Sequence, residues 1–297
     1  MYKNIKLIIA LWLIFLAGCT TLNAQNKDTG DSTSNPSRGI KLEAIDFLND
    51  YSEVSSGKSV PLIFELTNNM PESTNVDMVF QDFVEGELGG FKKTEKKISD
   101  LSGIKGIESE LGKPCIDRKN CKIINLGSIV YNAVDAQESI TIRADVTYDV
   151  KFESKYTTCV GVEPYCNKKE NLGSNSRYDS TYPVGISRIE RNYPLSVDGS
   201  QKVIFTIYFA DLGKDLITRD RELNNINLEF GNSAIECPSK FIVSPKNLEG
   251  NKITCEGNAP TLEKGQTDFD TDVTVSFNYK YTFSSHFGPI KVNPLKK

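Results

Sequence analysis

Residues 138–152 read ESITIRADVTYDVKF. Ile140, Ile142, Ala144, Val146, Tyr148, Val150 and Phe152 occupy every second position, and Thr141, Arg143, Asp145, Thr147, Asp149 and Lys151 lie between them. Successive side chains of an extended strand point to opposite faces, so this stretch has one apolar and one hydrated face. That pattern predicts an antiparallel sheet packed on one side only. The stretch DVTVSFNYKYTF at 272–283 repeats it, with Val273, Val275, Phe277, Tyr279, Tyr281 and Phe283 on one face and Thr274, Ser276, Asn278, Lys280 and Thr282 on the other. Shorter runs follow the same rule: Val60, Leu62, Phe64 and Leu66 in KSVPLIFELT, and Val203, Phe205, Ile207 and Phe209 in QKVIFTIYFAD. Leu42–Phe47, Asn75–Phe80, Lys122–Val130, Leu223–Phe230, Ser239–Val243 and Asn251–Cys255 are further strand candidates. Gly57-Lys58 and Asn68-Asn69 supply turn chemistry around the second of them. Many alternating strands with turn signals between them and no long helical period predict an all-β chain of sandwich type.

Two stretches depart from this grammar. Residues 95–113 carry Ile98, Leu101, Ile104 and Ile107 at three-residue spacing among polar residues and glycines, which predicts one or two helical turns in an inserted loop spanning 95–121. Residues 167–181, NKKENLGSNSRYDST, lack an apolar run and predict a domain boundary or a long exposed loop. On either side the two halves match. Each opens on an alternating strand (Val60, Val203) and closes on a long one (Ile140, Val273). This reads as a duplicated sandwich unit, with a first domain at 41–180 and a second at 181–297.

The chain begins with Lys3 and Lys6, followed at 7–18 by the uncharged run LIIALWLIFLAG. A positive start, a short apolar stretch and closing small residues make a secretory signal peptide. A spanning helix needs about 20 apolar residues, more than this run has. Leu16-Ala17-Gly18-Cys19 resembles the lipobox of prokaryotic lipoproteins. The resemblance implies cleavage after residue 18, with Cys19 as the first mature residue and the lipid carrier. Its partner is then a membrane surface, with the folded part outside the cytoplasm. Residues 19–40 are polar, with Leu22, Ala24 and Ile40 as the apolar exceptions, and read as a flexible tether. At random-coil dimensions it reaches about 25 Å.

Six cysteines remain after Cys19: Cys115, Cys121, Cys159, Cys166, Cys237 and Cys255. An even count in an exported chain predicts disulfides, and six cysteines allow 15 pairings. Neighbour pairing (115 with 121, 159 with 166, 237 with 255) is favoured, because each pair brackets or adjoins Pro114, Pro164, Pro238 or Gly250. The rival is a zinc site, which needs two closely spaced Cys or Cys/His pairs, whereas this chain has no C-x-x-C and one histidine.

Gly57–Val79, GKSVPLIFELTNNMPESTNVDMV, resembles the opening of CARDB-type, immunoglobulin-like domains, in which a strand ends at an Asn-rich turn and the next begins at Asn-Val. Arg188–Phe209 is similar to archaeal cell-surface proteins that carry such domains. The resemblance implies two immunoglobulin-like sandwiches in tandem, a cell-surface, adhesive or scaffolding role, and no catalysis. The chain departs from the antibody subtype: its one Trp, Trp12, lies in the signal peptide.

The rest of the sequence bounds the chemistry. No G-x-S-x-G, G-x-x-x-x-G-K-[ST], G-x-G-x-x-G or H-E-x-x-H motif occurs. His286 is the one histidine and reads as a turn residue at a strand end. Asp268, Asp270 and Asp272 alternate in TDFDTD just before the closing strand and form a candidate calcium site on a loop there, against the alternative of a solvated acidic edge. Without the signal peptide, 33 basic residues face 39 acidic ones, a net charge of −6. Nucleic-acid binding calls instead for a basic patch and a high pI. The expected function is therefore a lipid-anchored, extracytoplasmic β-sandwich protein with a binding, adhesion or envelope-scaffolding role, no cofactor, and other surface or envelope proteins as partners. The alternatives are a subunit or assembly factor of a secretion or pilus machine, and a hydrolase with an unrecognised carboxylate site.

Overall fold

The computed structural model describes residues 38–45, 53–82, 89–90, 93–132, 136–161, 166, 169–173, 181–193, 202–211, 221–244 and 250–294. The expected signal peptide, Cys19 and nearly all of the tether lie outside these residues, as do 167–168 and 174–180 of the stretch 167–181 read as a boundary or exposed loop, whereas Lys169–Leu172 within that stretch form a paired strand. Among the described residues no helix is long and apolar enough to cross a membrane.

The fold is all-β. The first half supplies β1 (Ile40–Ala44), β2 (Glu53–Ser55), β3 (Ser59–Asn68), β4 (Thr74–Asp82), β5 (Thr94–Leu101), β6 (Cys121–Val130) and β7 (Glu138–Gly161). The second supplies β8 (Lys169–Leu172), β9 (Val184–Asn192), β10 (Lys202–Asp211), β11 (Arg221–Phe230), β12 (Ser233–Ile235), β13 (Lys240–Val243), β14 (Lys252–Asn258) and β15 (Asp268–Asn293). Residues 95–101 are strand and not helical turns: β5 pairs with β4 from Phe80↔Thr94 to Thr74↔Leu101. Short 3-10 turns follow the strand at Glu108–Glu110 and Cys115–Asp117.

Each half repeats one pairing scheme. In the first, β3 lies between β1 and β6, and β4 lies between β5 and β7. In the second, β10 lies between β9 and β14, and β11 lies between β12 and β15. The order of pairing is thus the same in both halves. What the repeat does not produce is two separate bodies. The long strands pair antiparallel from Asp268↔Gly161 to Val292↔Glu138, fusing the larger sheets of both halves into one of order β12-β11-β15-β7-β4-β5. At roughly 3.3 Å per residue, β7 and β15 each run about 80 Å, where an ordinary strand of 5–6 residues spans under 20 Å. A strand that long passes through both cores.

The aromatic contacts show the exchange. Phe64 of β3 lies 4.9 Å from Phe80 of β4 and 5.0 Å from Phe287 of β15. The first sandwich is thus completed by the end of a second-half strand. Phe152 of β7 lies 4.5 Å from Phe277 and 4.9 Å from Tyr182, so the second sandwich takes the end of a first-half strand. Phe205 against Phe230 and Phe209 against Phe277 close it from β10. The two small sheets cover the same face of the long one, and the other face carries the polar residues and meets water.

The buried residues of both halves form one continuous cluster, and tyrosines lie within it where β7 and β15 pass from one half to the other. Tyr148 and Tyr281 lie 5.6 Å apart. Tyr279 donates from Oη to the Val184 carbonyl and accepts from the Val184 N–H, at 3.0 and 2.9 Å. Gly39 opens β1 here at φ +77°, with Tyr148 Oη where a β-carbon would stand, so glycine alone fits both the backbone and the space.

Burial pushes the Tyr279 hydroxyl well above the ordinary value of 10.0, against the opposing bond from Val184. Burial, then the Asp82 carboxylate, raises Tyr131, and burial also raises Tyr193. An unfolded chain loses these protons near pH 10.0 while the folded chain holds them, so stability is intact below that value and falls as pH rises through and above it. The expected result is a denaturant midpoint that is flat at neutral pH and drops above pH 10.0, in step with the ultraviolet tyrosinate band. Replacing Tyr279 with Phe should reduce the drop.

Candidate functional site

β4 runs beside β7 only from Asp82↔Ile142 to Val76↔Tyr148. Beyond Tyr148, β7 continues to Gly161 with β15 on one side and no strand on the other among the described residues. The N–H and C=O of a strand residue point to one side and those of the next residue to the opposite side. Two contacts fix the phase. The Asp149 carbonyl accepts a 2.5 Å bond from Thr74 Oγ1 on the β4 side. The Cys159 carbonyl accepts from Arg191 Nη1 and, at 3.4 Å, from Tyr193 Oη. Odd residues thus face the side that carries no strand among the described residues, and along the cleft these are Lys151, Glu153 and Lys155.

A cleft of about 620 Å³ lies along this edge, between the Pro71–Ser73 turn, Lys105, β7 from Lys151 to Lys155, and Tyr182. Lys105 pairs with Glu72 at 3.5 Å. Lys151, Glu153 and Lys155 are exposed, and the residues opposite them on β15 are the uncharged Asn278, Ser276 and Thr274. Farther along β7, at Thr158 and Cys159, lies Arg191. Its guanidinium is fully buried, pairs with Glu170 at 3.1 Å, donates to Thr158 Oγ1 and lies over the Tyr193 ring at 4.6 Å. The arrangement offers donors and acceptors to an extended backbone and alternating charges to its side chains. The sequence flags none of these residues, because Lys151 and Glu153 look the same whether or not a neighbour strand covers them. One signal was present: β7 is 24 residues and β4 only 9, so part of β7 must lack that neighbour.

The six cysteines form the three neighbour pairs, Cys115–Cys121, Cys159–Cys166 and Cys237–Cys255. Each closes a short loop, worth about 2–4 kcal/mol for a typical bridge. The cysteines of the zinc alternative are thereby used. One group of possible metal donors lies together among the described residues, Glu65 with Cys115 and Cys121, and its sulfurs are bonded to each other. Three loop disulfides are consistent with a location outside the cytoplasm. Cys19 lies outside the described residues.

Asp268, Asp270 and Asp272 lie within β15 and not on a loop before it. All three are exposed, and alternate strand residues are about 6.6 Å apart, so the carboxylates stand in a row and do not converge on one ion. Thr267 Oγ1 donates to Asp268 at 2.7 Å and Thr157 Oγ1 to Asp272 at 3.5 Å. The β11 ladder reaches only Val273, so the three aspartates lie on β15 just beyond it, paired with β7. His286 is not in a turn: it sits inside β15, exposed, opposite Arg143. Its neighbour two residues back, Ser284, donates to Asp145 with no imidazole between them, so the three do not make a Ser–His–Asp relay.

No family model matches the chain, and no curated protein matches it. Among solved structures, 88% of the chain aligns with Escherichia coli alpha-2-macroglobulin activated by porcine elastase, at 10% identity and a TM-score of 0.17. The alignment spans 22% of that protein's length. A second likeness, to the sporulation control protein Spo0M of Bacillus subtilis, covers 72% of the chain and 93% of that protein at 7% identity and a TM-score of 0.14. At these TM-scores neither likeness bears on function.

Proposed function

We propose that this chain is a lipid-anchored protein of the cell envelope that holds other envelope or surface proteins and catalyses no reaction. The observation that carries the reading is the stretch Lys151–Lys155 of β7, which among the described residues no strand pairs on one side, and the cleft beside it, a place where a sheet can be extended by another chain. The signal peptide, the Leu16–Cys19 motif and the polar tether support placing this surface at a membrane. The three loop disulfides support an oxidising compartment. The coupled sandwiches serve as a stiff presenter, since β7 and β15 cross both cores.

Two experiments test the role. Replacing Cys19 with Ser is expected to move the protein from the membrane fraction to the soluble extracytoplasmic fraction, with a loss of lipid mass. Retention in the membrane at unchanged mass contradicts the anchor. Cross-linking followed by purification in detergent is expected to recover an envelope protein. Recovery in fixed stoichiometry with several others favours a subunit of an envelope machine over a free-standing adhesin or scaffold. Recovery of the chain alone contradicts the binding role.

A further inference from the structure

We infer that the edge of β7 at Lys151, Glu153 and Lys155 takes a short extended segment of another polypeptide as an added strand. That segment carries acidic side chains opposite Lys151 and Lys155 and a basic one opposite Glu153. The inference rests on the binding role proposed above and names the partner's chemistry.

The gap has a defined length. The Asp149 carbonyl is taken by Thr74 on one side and the Cys159 carbonyl by Arg191 and Tyr193 on the other, and between them the cleft runs along Lys151 to Lys155. Lys151 to Lys155 is five residues, about 16 Å of strand. The cleft follows that stretch, so there is room beside the backbone. A second copy of the chain does not fit. Its own β7 is 24 residues long, and laid antiparallel in the gap it would run into the position already held by β4. The occupant is instead a chain end, a loop or a tether.

The charges select among such segments. Opposed side chains of antiparallel strands have β-carbons about 5 Å apart, and opposite charges there are favourable. Lys151, Glu153 and Lys155 have neutral neighbours on β15 and take part in no ion pair among the described residues. Their complement must come from the open side. The required order, acid–x–base–x–acid, reads the same in both directions, so it holds for either strand polarity. The intervening residues of the added strand would face inward, toward Phe152 and Tyr182, and apolar or β-branched side chains suit them. Charged residues also serve on bare edges to repel other strands, and the test separates that protective role from a docking role.

The probe is a blocked, labelled heptapeptide TDVKVDT, with TKVDVKT as its charge-reversed control. Saturable binding of the first is expected by fluorescence anisotropy, with slowed amide exchange at Lys151, Glu153 and Lys155. The triple variant Lys151→Glu, Glu153→Lys, Lys155→Glu alters exposed side chains only, and it is expected to reverse the preference by about tenfold. Glu153→Pro removes an edge donor at a position that edge strands tolerate, and it should abolish binding of both peptides with the circular dichroism unchanged. Absence of saturable binding, or equal affinity for both peptides in both proteins, overturns the inference and leaves a protective edge. A dimer in sedimentation that Glu153→Pro dissolves overturns it in favour of a second copy. A chain that binds neither peptide but retains an envelope partner indifferent to Glu153→Pro loses this site and keeps its binding role.

Discussion

A fragment ending at residue 180 will not fold alone. The first sandwich takes Phe283, Phe287, Ile290 and Val292 from the end of β15, all buried, with Phe287 against Phe64. Burying one such side chain is worth about 1.5–3 kcal/mol, so losing four removes roughly 6–12 kcal/mol. That equals the whole stability of an ordinary domain, about 5–15 kcal/mol, before the lost ladder along β7 is counted. The complementary fragment, 181–297, lacks Phe152 and Val160, which β7 buries in the second core. Fragments 38–180 and 181–297 expressed singly are expected to show no cooperative denaturant transition. Co-expressed, they are expected to reassemble through β7 and β15 and recover it. A cooperative transition in 38–180 alone would mean that the first sandwich closes without the second-half strand.

Replacing Arg191 with Ala is expected to be the most damaging single side-chain truncation at a polar site. The guanidinium is fully buried and satisfies Glu170, Thr158 Oγ1 and the Cys159 carbonyl. Removing one partner of a fully buried ion pair costs about 3–5 kcal/mol, and because Glu170 keeps 33% of its side chain exposed the low end applies here. For a chain of this size each kcal/mol lowers Tm by about 2–4 °C, so a fall of roughly 6–12 °C is expected in a thermal melt. The pairing origin of the loss has its own check. Arg191→Met combined with Glu170→Gln removes both charges and should recover much of the stability, since an apolar replacement of a buried pair is often close to neutral. If the double variant is as unstable as Arg191→Ala, the loss comes from packing against Tyr193 and not from the stranded carboxylate.

These effects differ in how far they were legible in the sequence. The strands of β7 and β15 were legible because period-two alternation has one structural meaning, and Ile140–Phe152 keeps it without a break. The neighbour disulfides were legible because each pair lies beside proline or glycine in the sequence, residues that favour chain reversals. The strand β5 was misread because Ile98 and Leu101 are three apart. In the structure Ile98 pairs with Val76 and Leu101 with Thr74, and an irregularity in the ladder between those two pairs supplies the odd spacing. Asp268, Asp270 and Asp272 were read on a loop because the apolar alternation begins only at Val273, yet the backbone ladder extends to Asp268. Backbone pairing does not need an apolar side chain.

Sequence alone therefore determined the class of element, the face each strand buries and the repetition of one unit. All three are encoded locally, in the order of apolar and polar residues along a few turns of chain. Tertiary structure decided which core each strand serves. An apolar face at Phe283–Val292 fits any apolar surface, and only the antiparallel register with β7 carries it into the first sandwich and leaves Lys151–Lys155 at an open edge. Register and neighbour are properties of two segments more than a hundred residues apart, and no local pattern in either segment specifies them.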